Sequence, residues 1–160
     1  MGMFTELVMA AQIKDDPEVI SILEFMLDNN STIEDNRGGW DVNNLPDHPL
    51  FSTPRWECML TADSPWFPGK SNSELRFEPN YYDGYNYYLS IRCNIKDYDL
   101  ELELFLDWLS PYIVPEGFMG YLMYEDSKYP ELIFITEEHK LEILDIENEF
   151  TNNKEDSENG

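Results

Sequence analysis

Four side chains are of the types that bind zinc: Cys58, Cys93, His48 and His139. Zinc sites usually pair such ligands at short intervals, as C-x2–4-C or H-x3–5-H, and none of the four has a neighbour at that spacing. Both cysteines fall in the apolar alternation of predicted strands, where a small thiol packs in the core. The sequence therefore predicts no metal site, and no motif in it indicates a cofactor.

Nucleophilic catalysis has no recognisable pattern in the chain either. There is no G-x-S-x-G elbow, no P-loop and no G-x-G-x-x-G run. Both histidines lie in stretches that look exposed, and a loop position such as that of His48 is usual for a solvated histidine. With 33 Asp and Glu, some carboxylate pair at the separation used in glycoside hydrolysis is expected by chance. We therefore predict that the protein is not an enzyme.

The charge of the chain is its most unusual property. The 33 acidic residues face only ten Lys and Arg, which gives a net charge of −23 at pH 7. Self-repulsion on this scale destabilises the compact state, so it calls for an explanation. One explanation is solubility, and the other is a basic partner protein. Direct binding to nucleic acid or to an anionic membrane is disfavoured, because both are negatively charged.

The negative charge is concentrated in the C-terminal part of the chain. Residues 97–160 hold 18 acids and three lysines, a net charge of −15, against −8 for residues 1–96. Asp99, Glu103 and Asp107 recur at intervals of four and would share one face of a helix. Such a row is either a solvated face or a set of carboxylates placed where a basic groove expects phosphates. The candidate partner-binding residues are six acids of this region: Asp99, Glu101, Glu103, Asp107, Glu125 and Asp126.

The elements that position these residues are predicted from hydrophobic periodicity. Asp16-Pro17-Glu18 predicts the start of a helix over 17–28. Residues 97–112 alternate like a strand in LELEL, but they also carry an apolar stripe at helical spacing, and their length favours a helix. A long irregular segment is predicted at 29–54, where Trp40 would act as an anchor, and a second loop with a rigid turn is predicted at 63–73. Strands are predicted at 3–13, 55–61, 74–78, 85–95, 117–124, 131–136 and 141–146.

This order of elements has no βαβ regularity and no repeat, so it predicts an α+β fold. We expect an antiparallel β-sheet with two main helices packed on one face, in a single compact domain with long loops. The domain would span 1–146, and 147–160 would form a disordered acidic tail. The start, MGMFTELVMA, lacks the basic and long apolar regions of a secretory signal, and no apolar run approaches the ~18 residues of a membrane span. A cytoplasmic protein is the expectation.

Several blocks of the chain carry a resemblance to small acidic proteins of bacterial or phage type. The blocks are HPLFSTPRWECML, SPWFPG, DYDLELELFLDWLSPYI and GFMGYLMYE, and they span about residues 48–125. In type, the chain resembles anti-CRISPR and other anti-restriction proteins that mimic nucleic acid. The resemblance implies a protein that helps phage evade host defence by inhibiting a nuclease, and it assigns no residue a role.

Three functions from different classes are consistent with these observations. The first is a non-enzymatic inhibitor that binds a basic nucleic-acid-binding protein, such as a CRISPR effector or another defence nuclease, and blocks its nucleic-acid site by charge mimicry. The second is an immunity or antitoxin protein that neutralises a cationic toxin. The third is a small acidic ligand-binding domain or enzyme whose charge serves solubility. The sequence leaves the oligomeric state open.

Overall fold

The architecture is that of one antiparallel sheet with helices on one side. The computed structural model describes residues 3–27 and 43–148. Its two α-helices are α1 (Pro17–Leu27) and α2 (Glu101–Leu109). Its strands are β1 (Phe4–Ile13), β2 (Glu74–Phe77), β3 (Tyr87–Lys96), β4 (Gly117–Tyr124), β5 (Glu131–Ile135) and β6 (Leu141–Asp145). They form one sheet in the order β2-β3-β1-β4-β5-β6, and every neighbouring pair is antiparallel.

Strand β1 lies at the centre of the sheet and sets its two faces. Leu7 pairs with Cys93 of β3 and with Leu122 of β4, and all three side chains are buried. Side chains alternate between the faces along each strand, so the odd-numbered residues of β1 and β3 form one apolar face. Gly120 allows β4 to approach β1 closely, because a Cβ atom there would overlap the Val8 carbonyl oxygen.

Both helices cover this apolar face and close the core over it. The first turn of α1 is capped by Asp16, whose Oδ1 accepts hydrogen bonds from the Glu18 and Val19 N–H groups at 3.1 Å each. Helix α1 buries six apolar side chains, and α2 buries Leu102, Phe105 and Leu109 completely. The fold class predicted from the sequence is therefore confirmed.

The other face of the sheet has no helix over it in the described residues, and three basic side chains lie on it. Arg76, Arg92 and Lys96 lie at even-numbered positions of β2 and β3, which point away from the helices. Arg76 lies over the Tyr88 ring with its guanidinium carbon 5.2 Å from the ring centroid. Two exposed acids, Glu74 and Glu142, lie on the same face, so it carries charges of both signs.

The strand predicted at 55–61 is wrong. Residues Trp56–Thr61 form a 3₁₀ helix that begins after Arg55, which has a φ of 63°. Burial follows a spacing of three to four rather than two, with Trp56, Met59 and Leu60 inside. Cys58 is therefore exposed instead of occupying the predicted core position, whereas Cys93 is buried as predicted.

The remaining predicted helices and strands correspond to observed ones, with boundaries shifted by a few residues, while residues 28–42, the end of the predicted helix and most of the predicted loop, lie outside the described residues. The segment with two readings, 97–112, contains α2 and a 3₁₀ turn at Ser110–Tyr112. Another 3₁₀ turn, Pro49–Ser52, lies within the predicted loop 29–54. The predicted anchor Trp40 and tail residues 149–160 lie outside the described residues. None of the described helices has the length and apolar character needed to cross a membrane.

Candidate functional site

The segment before α2 turns acidic side chains inward. Leu100 has a φ of 58°, in the left-handed region that non-glycine residues seldom adopt. This turn brings the carboxylate of Glu101 back to the Asp99 N–H, at 3.1 Å, and leaves Glu101 only 1% exposed. Asp97 lies before Leu100, the N-cap residue, and its carboxylate accepts a hydrogen bond from the Leu102 N–H at 3.0 Å, so it satisfies one free N–H group in the first turn of α2.

Asp97, Glu101 and Glu103 form a carboxyl cluster at the start of α2. Burial, a hydrogen bond to the Glu103 carboxyl and the Glu103 charge together raise the pKa of Asp97 to about 8. Hydrogen bonds from the Leu102 N–H and with Glu101 oppose this shift. Two neighbouring carboxyl groups avoid repulsion by sharing a proton. The cluster is therefore close to singly protonated at neutral pH, which lowers its negative charge.

The six predicted partner-binding acids fall into three different environments. Glu101 belongs to the buried cluster, and Glu103 is half-buried there with an enclosed Oε2 that has no hydrogen-bond partner. Asp99 and Asp107 are exposed, but Asp99 precedes α2, so the predicted row of Asp99, Glu103 and Asp107 does not share one solvent face. At the end of β4, Glu125 is half-buried and Asp126 exposed. Glu101 is therefore inaccessible to a partner, which corrects its assignment.

A cleft of about 810 Å³ opens at the other end of α2. It lies where four segments meet: the start of α1, the loop before Pro49, the end of α2 and the turn between β5 and β6. Its aromatic wall is formed by Trp108 and Tyr112, whose ring centroids are 6.5 Å apart. Four carboxylates line it: Asp16, Glu18, Asp47 and Asp107. We call this feature the acidic cleft.

The acidic cleft contains an acid–histidine pair. His48 Nε2 lies 3.1 Å from Asp107 Oδ2, with the histidine side chain 19% and the aspartate side chain 65% exposed. His48 Nδ1 accepts a hydrogen bond from the Leu50 N–H at 3.1 Å, which caps the turn Pro49–Ser52. Nε2 must therefore carry the proton that Asp107 accepts. Both ring nitrogens are engaged, so the ring positions the loop against α2.

His139 also lines the acidic cleft, from the turn between β5 and β6. Its Nδ1 lies 3.0 Å from the Ile113 carbonyl oxygen, which can only accept, so Nδ1 donates and the neutral ring keeps Nε2 as an acceptor. Of the lysines and arginines in the described part of the chain, Lys140 alone lines the cleft, and it forms an ion pair with Glu138 at 3.3 Å. Sequence reasoning placed both histidines in separate exposed stretches and did not bring them together.

The cysteines do not form a site. Burial raises the pKa of Cys93, so its thiol stays protonated. Within residues 3–27 and 43–148, no group of three or more His, Cys, Asp or Glu has a geometry that could hold a metal ion.

Comparison with known proteins yields no relative: no family model, no curated protein and no solved structure matches the chain. The interpretation of the acidic cleft and the carboxyl cluster therefore depends on their own chemistry.

Proposed function

We propose that this chain is a non-enzymatic inhibitor that binds a basic nucleic-acid-binding protein and covers its nucleic-acid site. The observation that supports this most is the acidic cleft, a concave surface with four carboxylates in a chain of net charge −23. Complementary charge speeds the encounter of two proteins and selects the partner. A site built to bind phosphates carries the opposite charge and is therefore a suitable target.

Two further features support binding over catalysis. His48 is the one histidine seen with a carboxylate partner in the described residues, and both of its nitrogens are engaged in structural hydrogen bonds. A general base needs a nitrogen that can reach a substrate proton. Exposed Asp99, Asp107 and Asp126 also remain available for a partner, unlike Glu101. The protein acts in the cytoplasm in this proposal, where such nucleases meet their substrates.

The test has two stages. The protein is immobilised at low salt, exposed to lysate of its native host, and the bound proteins are identified. Each purified partner is then assayed for binding to a labelled duplex with increasing amounts of the protein. We expect a stoichiometric loss of duplex binding, because one molecule covers one site. A partner that binds the duplex and the protein at the same time would contradict the proposal, and a toxin without nucleic-acid substrate would favour the antitoxin alternative.

A further inference from the structure

The polar atoms that line the acidic cleft are mostly hydrogen-bond acceptors. The four carboxylates accept only, and His139 in its neutral form presents Nε2 as an acceptor. The His48 N–H that points toward the cleft is used by Asp107. The Lys140 ammonium is engaged with Glu138. The Trp108 indole N–H and the Tyr112 hydroxyl can donate, but the charged groups that line the cleft are mainly carboxylates, so they favour a ligand with donors and positive charge.

The aromatic wall also restricts the shape of the ligand. Trp108 is held in place by edge contacts with Phe51, at 5.6 Å between ring centroids, and by Phe105 at 6.0 Å. Beside it, Tyr112 is half-buried and tilted by 50° relative to the indole. Aromatic faces attract cations within about 6 Å of the ring centroid. Trp108 is only 7% exposed, so Tyr112 offers the more accessible ring, and a flat cation stacks on it better than a compact hydrated one.

The C-terminal end of helix α2 also favours a positively charged ligand. Its C-terminus reaches the cleft at Trp108, and its last turn contains no basic residue that would neutralise the partial negative charge there. Cations are favoured near helix C-termini for this reason. The His48–Asp107 hydrogen bond and the Ser110 Oγ–H donated to the Asp107 carbonyl oxygen, at 2.9 Å, fix this end of the helix.

We propose that the acidic cleft receives an arginine side chain of the basic partner. This inference rests on the proposed function and names the group that the partner inserts. The guanidinium ion is planar, has five N–H donors and no acceptor, and stacks on aromatic rings. A volume of about 810 Å³ leaves room for this side chain and for part of the peptide that carries it.

The experiment uses the full chain and three short peptides as probes. They are acetyl-Gly-Arg-Gly-amide and its versions with citrulline or lysine in place of arginine. Citrulline keeps the shape of arginine but is uncharged and contains an acceptor. Binding is followed by the amide chemical shifts of the ¹⁵N-labelled protein. We expect saturable shifts from the arginine peptide that cluster at residues 107–112 and 139–141, weaker shifts from lysine and none from citrulline.

Two substitutions provide a matched pair. Asp107→Asn removes one charge but keeps an oxygen that can accept a hydrogen bond from His48. We expect it to lower the affinity for the arginine peptide by about two- to five-fold, which is the effect of one exposed ion pair. Glu142→Gln removes a charge from an exposed position on β6, on the sheet face opposite the helices, and should leave the affinity unchanged. Equal effects of the two substitutions would show that only net charge matters, which overturns the inference.

The remaining outcomes separate this inference from the proposed function. Shifts scattered over all exposed acids, or equal binding of the citrulline peptide, would show that the cleft has no arginine site. If a partner is nevertheless captured, and the protein prevents that partner from binding the labelled duplex, the proposed function stands without this site. If the arginine peptide binds in the cleft but no captured partner loses its duplex, the cleft is a guanidinium site and the proposed function is wrong.

Discussion

The two ends of helix α2 use carboxylates in opposite ways. At its start, Asp97, Glu101 and Glu103 turn inward and share hydrogen bonds and a proton. At its end, Asp107 faces a cleft and stays 65% exposed beside His48. Acidic side chains are thus buried and partly protonated at one end and exposed at the other. A count of acids therefore overstates the charge that a partner meets, and burial decides which acids contribute.

The largest expected effect is a loss of stability when the buried side chain that orients α2 is removed. Phe105 is fully buried and contacts Trp108, so Phe105→Ala leaves a cavity in the core. We expect a loss of about 3–5 kcal/mol in the free energy of unfolding, measured by urea denaturation. Exposed Asp99→Ala should change it by no more than about 0.5 kcal/mol. A loss under about 1 kcal/mol at Phe105 would mean that another contact orients the two ends of α2.

The next effect is a dependence of stability on pH that arises at the start of α2. The pKa of Asp97 is about 8 in the folded protein, above the ordinary value of 3.8, so the native state holds a proton that the unfolded chain releases. This stabilisation is complete below about pH 4 and is lost as the pH rises through about 8. About three pH units of proton release lie between pH 5 and pH 9, so we expect the free energy of unfolding to fall by up to about 4 kcal/mol over this range from this group.

Asp97→Asn provides the control for that profile. Asparagine has no proton to release, so the variant should have a flatter pH profile than the wild type. Glu131 remains in both proteins as a second contributor, because burial and the charges of Asp145 and Asp97 raise its pKa. Parallel profiles of wild type and variant would show that Asp97 is not the group that holds the proton.

A smaller effect tests the backbone turn that separates the inward acids from the exposed ones. Leu100 adopts a left-handed conformation and its side chain is 59% exposed, so it loses little by truncation. Leu100→Gly should raise the free energy of unfolding by about 0.5–1 kcal/mol, since glycine adopts this conformation without steric strain. Leu100→Val should lower it. Thermal midpoints that move in the reverse order would contradict this description of the turn.

Hydrophobic periodicity predicted most of the helices and strands correctly, but it did not predict the structure of residues 55–61. The alternation of Trp56, Cys58 and Leu60 fits a strand, yet Met59 is also apolar and fits a spacing of three. The left-handed Arg55 starts a 3₁₀ helix, and no local rule assigns that conformation to arginine. Tertiary contacts of Trp56 with Phe51 and Phe25 favour this alternative.

The candidate site was less predictable, for two physical reasons. The interval of four between Asp99, Glu103 and Asp107 forms one face only if the helix includes Asp99, and α2 begins at Glu101. The acidic cleft combines residues such as Asp16, His48 and His139 that lie far apart in the chain, so no local spacing marks it. A weak local signal was His48 before Pro49, since a side-chain acceptor before proline is typical of a helix cap.

The central claim is that the exposed acids of the cleft, rather than net charge, attract the basic partner. The most direct test compares association rates of the identified partner with two triple variants over a range of salt concentrations. One variant reverses Glu18, Asp47 and Asp107 to lysine, and the other reverses exposed Glu74, Glu78 and Glu142, so both gain the same charge. We expect the cleft variant to associate at least about ten-fold more slowly at low salt, with a weaker salt dependence, while the control variant stays close to the wild type. Equal association rates for the two variants, with circular dichroism showing both folded, would contradict the claim and assign the charge of −23 to solubility.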